Sequence, residues 1–387
     1  MNRNVGPRLF VLDTPGGVPK EVPLAHACEQ AGMLATASGT PAAWPQLTAA
    51  LRARGTAAVL VIADAFASAC AFETTPIKHR HWLDAAHARG WMASQAGGEI
   101  DGDSLPAAWR DQLALGHVPA DAALLAWPAL PWLSWLSRDD PAGWLSTPPM
   151  SARLGVGHPP LGLYAIVDNV ATLRSVLEAG VRTVQLRIKR PVDADAAWTA
   201  ALRNAIRDGL TAADGHGALL FINDHWRLAT ELGARAVHLG QEDLMALDEQ
   251  GHVELRASGL SLGISSHAVW ELCRARSLAP RYIACGPVWP TTTKDMPWRP
   301  QGLDNLAWWC RVADAPVVAI GGILTPEQVR QTARTGAAGV CVLRGLGSAP
   351  RLTVAALQQA FEQGRQDSLA DAGRSVGPLH PTLGPAT

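Results

Sequence analysis

From Leu161 onward, short apolar and β-branched runs alternate with longer stretches of helical pattern. The runs are Leu163 to Val167, Thr183 to Ile188, Ala218 to Ile222, Ala236 to Leu239, Leu260 to Ile264, Tyr282 to Cys285, Val317 to Ile320 and Val340 to Leu343. Each is short and flanked by turn formers, as expected of strands buried on both faces in a parallel sheet. Between them, Ala171 to Ala179, Asp193 to Leu210, His267 to Ser277, Gly302 to Arg311 and Pro326 to Thr335 carry helical spacing. Asn or Asp stands near several starts and Gly follows several ends, as in Ala179-Gly180 and Thr335-Gly336, which are capping signals. Eight strand-helix units in about 190 residues predict an α/β fold, a compact (β/α)8 TIM barrel. The alternative, a doubly wound sheet, usually has fewer strands and a glycine fingerprint at its first turn.

The first 150 residues have a different texture. Alanine and tryptophan are frequent, and apolar runs at Arg8 to Leu12, Ala57 to Ala63 and Ala122 to Leu125 are separated by segments of helical composition. The expectation is a smaller α/β-like N-terminal domain over 1–150, of unknown function, and a barrel domain over 161–363. The stretch Ser146 to Leu161, rich in Pro, Gly and Ser, reads as the connection. Apolar periodicity fades from Glu362, so 370–387 is expected to be a flexible tail. Lys78, His79, Arg80 and His81 read as a solvated loop or helix end, and Trp132, Trp135 and Trp144 as a packing surface.

Composition narrows the function classes. The chain has 387 residues, 48% hydrophobic and 17% charged, against about 25% charged in ordinary globular proteins, so disorder is not expected over most of its length. A formal net charge of -1 gives no broad field for nucleic acid or an anionic membrane. Any anion must be held locally. Cys28, Cys70, Cys273, Cys285, Cys310 and Cys341 show no CxxC pair or zinc spacing and read as buried thiols in a reducing compartment. No signal-peptide pattern or apolar run of spanning length occurs, so a cytoplasmic protein is expected. Self-association is left open.

Candidate chemistry sits where a barrel would use it, at the C-terminal ends of the strands. In Gln185-Leu-Arg187-Ile-Lys189, strand alternation would send the three polar chains to one side, where cationic groups suit phosphate oxygens. An outer or inner-layer salt-bridge network is the other reading. Asn223-Asp224 and Gln241-Glu242-Asp243 supply carboxylates suited to Mg²⁺ or to helix capping. The loop from Gly286 to Lys294 concentrates Thr291, Thr292, Thr293 and Lys294, while Gly321-Gly322 and Arg344-Gly345 follow the seventh and eighth runs, a recurrent phosphate position in barrels. His238 and His267 read as hydrogen-bonded structural histidines, since no nucleophile is spaced into a triad with them. The chain has only four lysines, and two of them, Lys189 and Lys294, fall at these sites.

The series LYAIVD, VQLRIK, FINDHWRLA, AVHLGQEDL, LGISSH, YIACGPVWPTTTK, VVAIGGI and GVCVLRGL resembles the thiamine phosphate synthase (thiamine-phosphate pyrophosphorylase) family over about Leu161 to Gly347. The resemblance implies an Mg²⁺-dependent alkyl transferase that joins two small phosphorylated substrates. One is 4-amino-2-methyl-5-(diphosphooxymethyl)pyrimidine and the other a thiazole phosphate or its carboxylate; the products are thiamine phosphate and pyrophosphate. It implies that Gln185, Arg187, Lys189, Asn223, Ser265 and Lys294 bind the pyrimidine diphosphate, with Lys189, Ser265 and Lys294 serving catalysis. Asp224 and Asp243 would hold Mg²⁺, and Thr291, Thr293, Gly322, Leu343 and Arg344 the thiazole phosphate. The implied chemistry is dissociative: pyrophosphate leaves first and the thiazole nitrogen captures the pyrimidinylmethyl cation. Arg344 departs from the small Ser usual in the family. A noncatalytic thiamine-related binding or regulatory protein and a thiazole tautomerase-like barrel are the alternatives. The N-terminal region shows no motif of an intact kinase.

Overall fold

The computed structural model describes residues 7–33, 41–62, 77–95, 101–135, 161–292, 297–370 and 379–383. They fall into two compact units.

The first unit comprises Met1–Pro149, Ala268–Leu278 and His380–Thr387. Its elements are β1 (Arg8–Leu12), β2 (Lys20–Val22), α1 (Leu24–Ala31), α2 (Trp44–Ala53), β3 (Ala58–Ile62), β4 (Ile77–Ala85), β5 (Arg89–Gln95), α3 (Leu105–Ala114), α4 (Pro119–Leu125) and β6 (Trp132–Leu133). The sheet order is β2-β1-β3-β4-β5-β6, and every pairing in it is antiparallel. One core packs Leu9, Val11, Val59 and Val61 with Trp44, Trp82 and Trp91. The α/β character expected of this region is observed, with two local corrections. Ala122 to Leu125 is helical because Pro119 opens α4 at its first position, where a missing N–H costs nothing. Lys78 to His81 lies in β4 rather than in a loop, and His81 is buried. Trp144 and Cys70 lie outside the described residues.

The second unit comprises Met150–His267 and Ala279–Leu379. Its strands are β7 (Gly162–Val167), β8 (Thr183–Leu186), β9 (Leu219–Asn223), β10 (Ala236–Leu239), β11 (Ser261–Ser266), β12 (Tyr282–Cys285), β13 (Val317–Ala319) and β14 (Gly339–Val342). All eight pair in parallel, and β14 pairs with β7 to close the barrel, which excludes the doubly wound alternative. The helices are α5 (Val170–Glu178), α6 (Ala196–Gly215), α7 (Trp226–Glu231), α8 (Gln241–Met245), α9 (Glu249–Ala257), α10 (Val269–Ser277), α11 (Gly302–Val312), α12 (Pro326–Ala333) and α13 (Pro350–Ala370). Of these, α10 clusters with the first unit. The Asn and Asp cap signals are used as expected, Asn169 accepting from Thr172 N and Asp195 from Trp198 N, and Thr325 also caps α12 by accepting from Gln328 N.

Alternate residues on the strands fill the barrel. Tyr164 and Ile166, Tyr282 and Ala284, with Phe221, Ala236, Val318 and Cys341, form one buried cluster, as period-two geometry requires. The linker at 146–160 and residues 371–378 and 384–387 lie outside the described residues. Within the expected tail, Thr382 is buried.

Candidate active site

The polar strand-end residues collect at the C-terminal ends of neighbouring strands. β8 ends at Leu186, so the anticipated alternation stops there. Gln185 is buried, Arg187 half-buried and Lys189 exposed. Lys189 nevertheless turns back toward β9, where its Nζ lies 2.5 Å from the Asp224 carboxylate. His225 fixes this crossing, because its Nε2 hydrogen-bonds Ile188 O at 2.8 Å. Gln185 donates to Asn223 Oδ1 at 2.7 Å, and Asn223 Nδ2 is buried with no partner among the described residues. Arg187 has no ion-pair partner among the described residues.

Asp224 has φ 64°, a left-handed conformation that Asp tolerates better than most residues. Its N–H is tied to His238 O at 3.0 Å. Strain of this kind concentrates at ligand sites. Asp243 accepts from Gly240 N at 2.9 Å, so it also fastens the start of α8. Partial desolvation and the neighbouring Asp224 carboxylate raise the Asp243 carboxyl above its usual range. Among the described residues no group of three or more His, Cys, Asp or Glu is placed to hold a metal ion. A pair of hard carboxylates is nonetheless a fitting donor set for Mg²⁺, which is commonly bound by one or two carboxylates and completes its shell with water and substrate phosphate.

Ser265 and His238 form the next part of the site. His238 Nε2 lies 2.8 Å from Ser265 Oγ, and His238 Nδ1 lies 2.7 Å from Tyr282 OH. Burial first, then Lys189, Arg187 and His267, pushes the imidazole down to about 4 against the opposing pull of Asp224. His238 is therefore neutral at physiological pH, in line with a hydrogen-bonded histidine. His267 stacks on Trp298 with ring centroids 5.3 Å apart.

On the other side of the barrel mouth, Arg344 donates to Thr292 Oγ1 at 3.0 Å and to Thr291 Oγ1 at 3.4 Å. It thus bridges the loops that follow β12 and β14. Gly322 has φ 72°, and a Cβ there would overlap the carbonyl oxygens of Trp289 and Pro290. The Gly-Gly turn is required by this close approach as well as by its conformation. Leu343 is half-buried immediately after β14, while Thr293 and Lys294 lie outside the described residues.

Sequence reasoning missed Tyr164 and Tyr282, whose hydroxyls meet at 2.9 Å inside the barrel. Both read as core residues, yet they are the only two tyrosines of the chain. Scarcity of a residue type was the available signal, as it was for lysine.

A thiamine-phosphate synthase of Enterobacter sp. is 45% identical over 199 residues, which span 51% of this chain and 90% of that protein. The chain belongs to the thiamine-phosphate synthase family. Residues 163–346 match the family model for thiamine monophosphate synthase. A thiamine-phosphate synthase of Neisseria meningitidis is 43% identical over 206 residues, covering 52% of this chain and 96% of that protein. Among solved structures, the thiamine phosphate pyrophosphorylase of Pyrococcus furiosus matches with 28% identity and a TM-score of 0.46, covering 53% of this chain and 97% of that one. The region matched to thiamine-phosphate synthases coincides with the barrel that carries Gln185 to Arg344. The barrel therefore groups the chain with the enzymes of this family. No helix among the described residues is long and apolar enough to cross a membrane.

Proposed function

We propose that the chain condenses 4-amino-2-methyl-5-(diphosphooxymethyl)pyrimidine with the thiazole phosphate, or its carboxylated form, to give thiamine phosphate and pyrophosphate. The observation that carries this reading is the convergence of Gln185, Lys189, Asn223, Asp224 and Asp243 at the ends of three adjacent strands, in a chain of this family. Cationic and hard-oxygen groups side by side suit a diphosphate.

Arg187 and Lys189 bind the diphosphate, and Lys189 donates to oxygens that gain charge as the C–O bond breaks. Lys294 is assigned the same task, while Gln185, Asn223 and Ser265 hold the pyrimidine. Asp224 and Asp243 would hold Mg²⁺, which when bound supplies charge neutralisation to the diphosphate. Thr291, Thr293, the Gly322 and Leu343 backbone and Arg344 grip the thiazole phosphate, presenting its ring nitrogen to the pyrimidinylmethyl carbon. Bond breaking needs electrostatic stabilisation of a good leaving group more than it needs a strong base, which accounts for the lack of a triad.

The test is an assay that follows thiamine phosphate and pyrophosphate together, with and without Mg²⁺. Lys189→Ala and Asp224→Ala are each expected to lower turnover by about a hundredfold or more, and chelation of the metal to abolish it. Near-normal turnover in either purified variant overturns the assignment.

A further inference from the structure

Six consecutive strands each contribute one residue to an unbroken hydrogen-bond chain through the barrel interior. Asn223 on β9 meets Gln185 on β8 at 2.7 Å, and Gln185 Oε1 meets Tyr164 OH on β7 at 3.3 Å. Tyr164 OH meets Tyr282 OH on β12 at 2.9 Å, Tyr282 OH meets His238 Nδ1 on β10 at 2.7 Å, and His238 Nε2 meets Ser265 Oγ on β11 at 2.8 Å. Apart from the half-buried Ser265, every member is buried. The glycine at position 263 is part of this arrangement, since a Cβ there would overlap the Tyr282 ring.

Proton counting makes the direction of the chain all-or-none. Each hydroxyl has one proton to donate and a neutral imidazole has one N–H. An imidazolium here would donate to two hydroxyls and remain a buried charge with no carboxylate hydrogen-bonded to it, which is costly. Gln185 donates its amide to Asn223, so its Oε1 accepts the Tyr164 proton. Tyr164 oxygen then accepts from Tyr282, and Tyr282 oxygen accepts from His238 Nδ1–H. His238 Nε2 is left as an acceptor and takes the Ser265 proton. The far ends are thereby linked: Asn223 offers an N–H, its buried and unpartnered Nδ2, and Ser265 offers lone pairs. The same heavy-atom positions permit one other arrangement, with both amides and every proton reversed, in which Asn223 offers a carbonyl and Ser265 an O–H.

The geometry points to Tyr164, Tyr282 and His238 as positioning residues that couple the hydrogen-bond polarity of Asn223 to that of Ser265 and so select a ring presenting an acceptor beside a donor. A 4-aminopyrimidine presents that pattern, with a ring nitrogen that accepts and an exocyclic amine that donates. A 4-methoxy analogue presents two acceptors, and since neither polarity of the chain offers a donor at both ends, one of its contacts stays unpaired. The inference rests on the substrate class proposed above and adds the device that discriminates within it.

The experiment measures dissociation constants, without thiazole phosphate, for 4-amino-2-methyl-5-(diphosphooxymethyl)pyrimidine and its 4-methoxy analogue. It uses the full chain and its Tyr282→Phe and Tyr164→Phe variants. The native protein is expected to prefer the amino compound by about thirtyfold, and each variant by only about threefold, because a cut chain lets the two ends choose polarity independently. Affinity for inorganic pyrophosphate should be the same in all three. An undiminished preference in both folded variants overturns the coupling while leaving the substrate assignment intact. Failure of the native protein to bind the amino compound overturns both. A measurement that needs no variant is the tautomer of His238 by nitrogen NMR in the complex with the amino compound. Protonation at Nδ1 supports the chain direction, and protonation at Nε2 refutes it.

Discussion

Arg344 stands where the resemblance implies a small Ser, and its surroundings give the larger side chain partners. The guanidinium is satisfied by Thr291 and Thr292 hydroxyls, so it reinforces the loop assigned to the thiazole phosphate while keeping donors available, because a planar fork carries five N–H groups. Arg344→Ser is expected to raise KM for the thiazole phosphate about tenfold, the usual scale for a lost charge-assisted hydrogen bond, with kcat little changed. A lower KM in the variant would mean that the arginine crowds the pocket. Residues of this kind were legible in the sequence, since Arg344, Lys189 and Asp224 announce their charge. Tyr164 and Tyr282 were not, because an aromatic residue in an apolar run is indistinguishable from core until its hydroxyl has a partner.

At the scale of elements, strand limits decide which side chains can reach the site. The end of β8 at Leu186 releases Arg187 and Lys189 from strand alternation, and the ion pair with Asp224 then sets where Lys189 goes. On β11, Gly263 leaves room for the Tyr282 ring. Gly263→Ala is expected to lower stability by about 1–3 kcal/mol through overpacking, read as a fall in the thermal midpoint, and to displace Tyr282. An unchanged midpoint would show that the ring moves freely. In α10 Val269 to Arg276 are all buried, and α4 likewise buries Ala120 to Leu124 without a break, whereas an ordinary surface helix buries one stripe. Within the first unit, Asp121 accepts from Trp270 N at 2.9 Å, Arg276 donates to Leu130 O at 2.8 Å and Trp135 Nε1 donates to Arg274 O at 2.9 Å. Helical periodicity alone could not reveal these partners, since they come from positions more than a hundred residues away.

At the scale of the whole molecule, removing residues 1–150 would strip α10 of those partners and leave the Arg274 and Arg276 guanidiniums without the carbonyls of Arg89 and Leu130 that accept from them. The truncated protein is expected to aggregate or to melt well below the full chain, and a soluble, fully active 151–387 fragment would show that the first unit has no structural role. Stability should also depend on pH with a definite sign. Burial pushes both His238 and His252 down to about 4, against about 6.5 in an unfolded chain. Between those values the unfolded form binds more protons, so stability is lost as pH falls from about 6.5 to about 4, on the order of 3 kcal/mol per histidine. Burial raises Asp121 to about 7, and its contribution runs the other way, diminishing stability as pH rises from about 4 to 7. Urea midpoints across this range should therefore fall more steeply toward acid in Asp121→Asn than in the native chain; a flatter curve would contradict the sign.

The sequence by itself determined the eight apolar runs, the helices capped between them, the parallel barrel they imply and the placement of charged residues at strand ends. These features depend on local periodicity and on the chemistry of single residues, both readable along a line. Only the tertiary structure decided that β14 pairs with β7, that Lys189 crosses to Asp224, and that six strands align their polar side chains into one hydrogen-bond chain. Those contacts join residues as far apart as Tyr164 and Tyr282. They are set by barrel closure and close packing, which no stretch of sequence contains on its own.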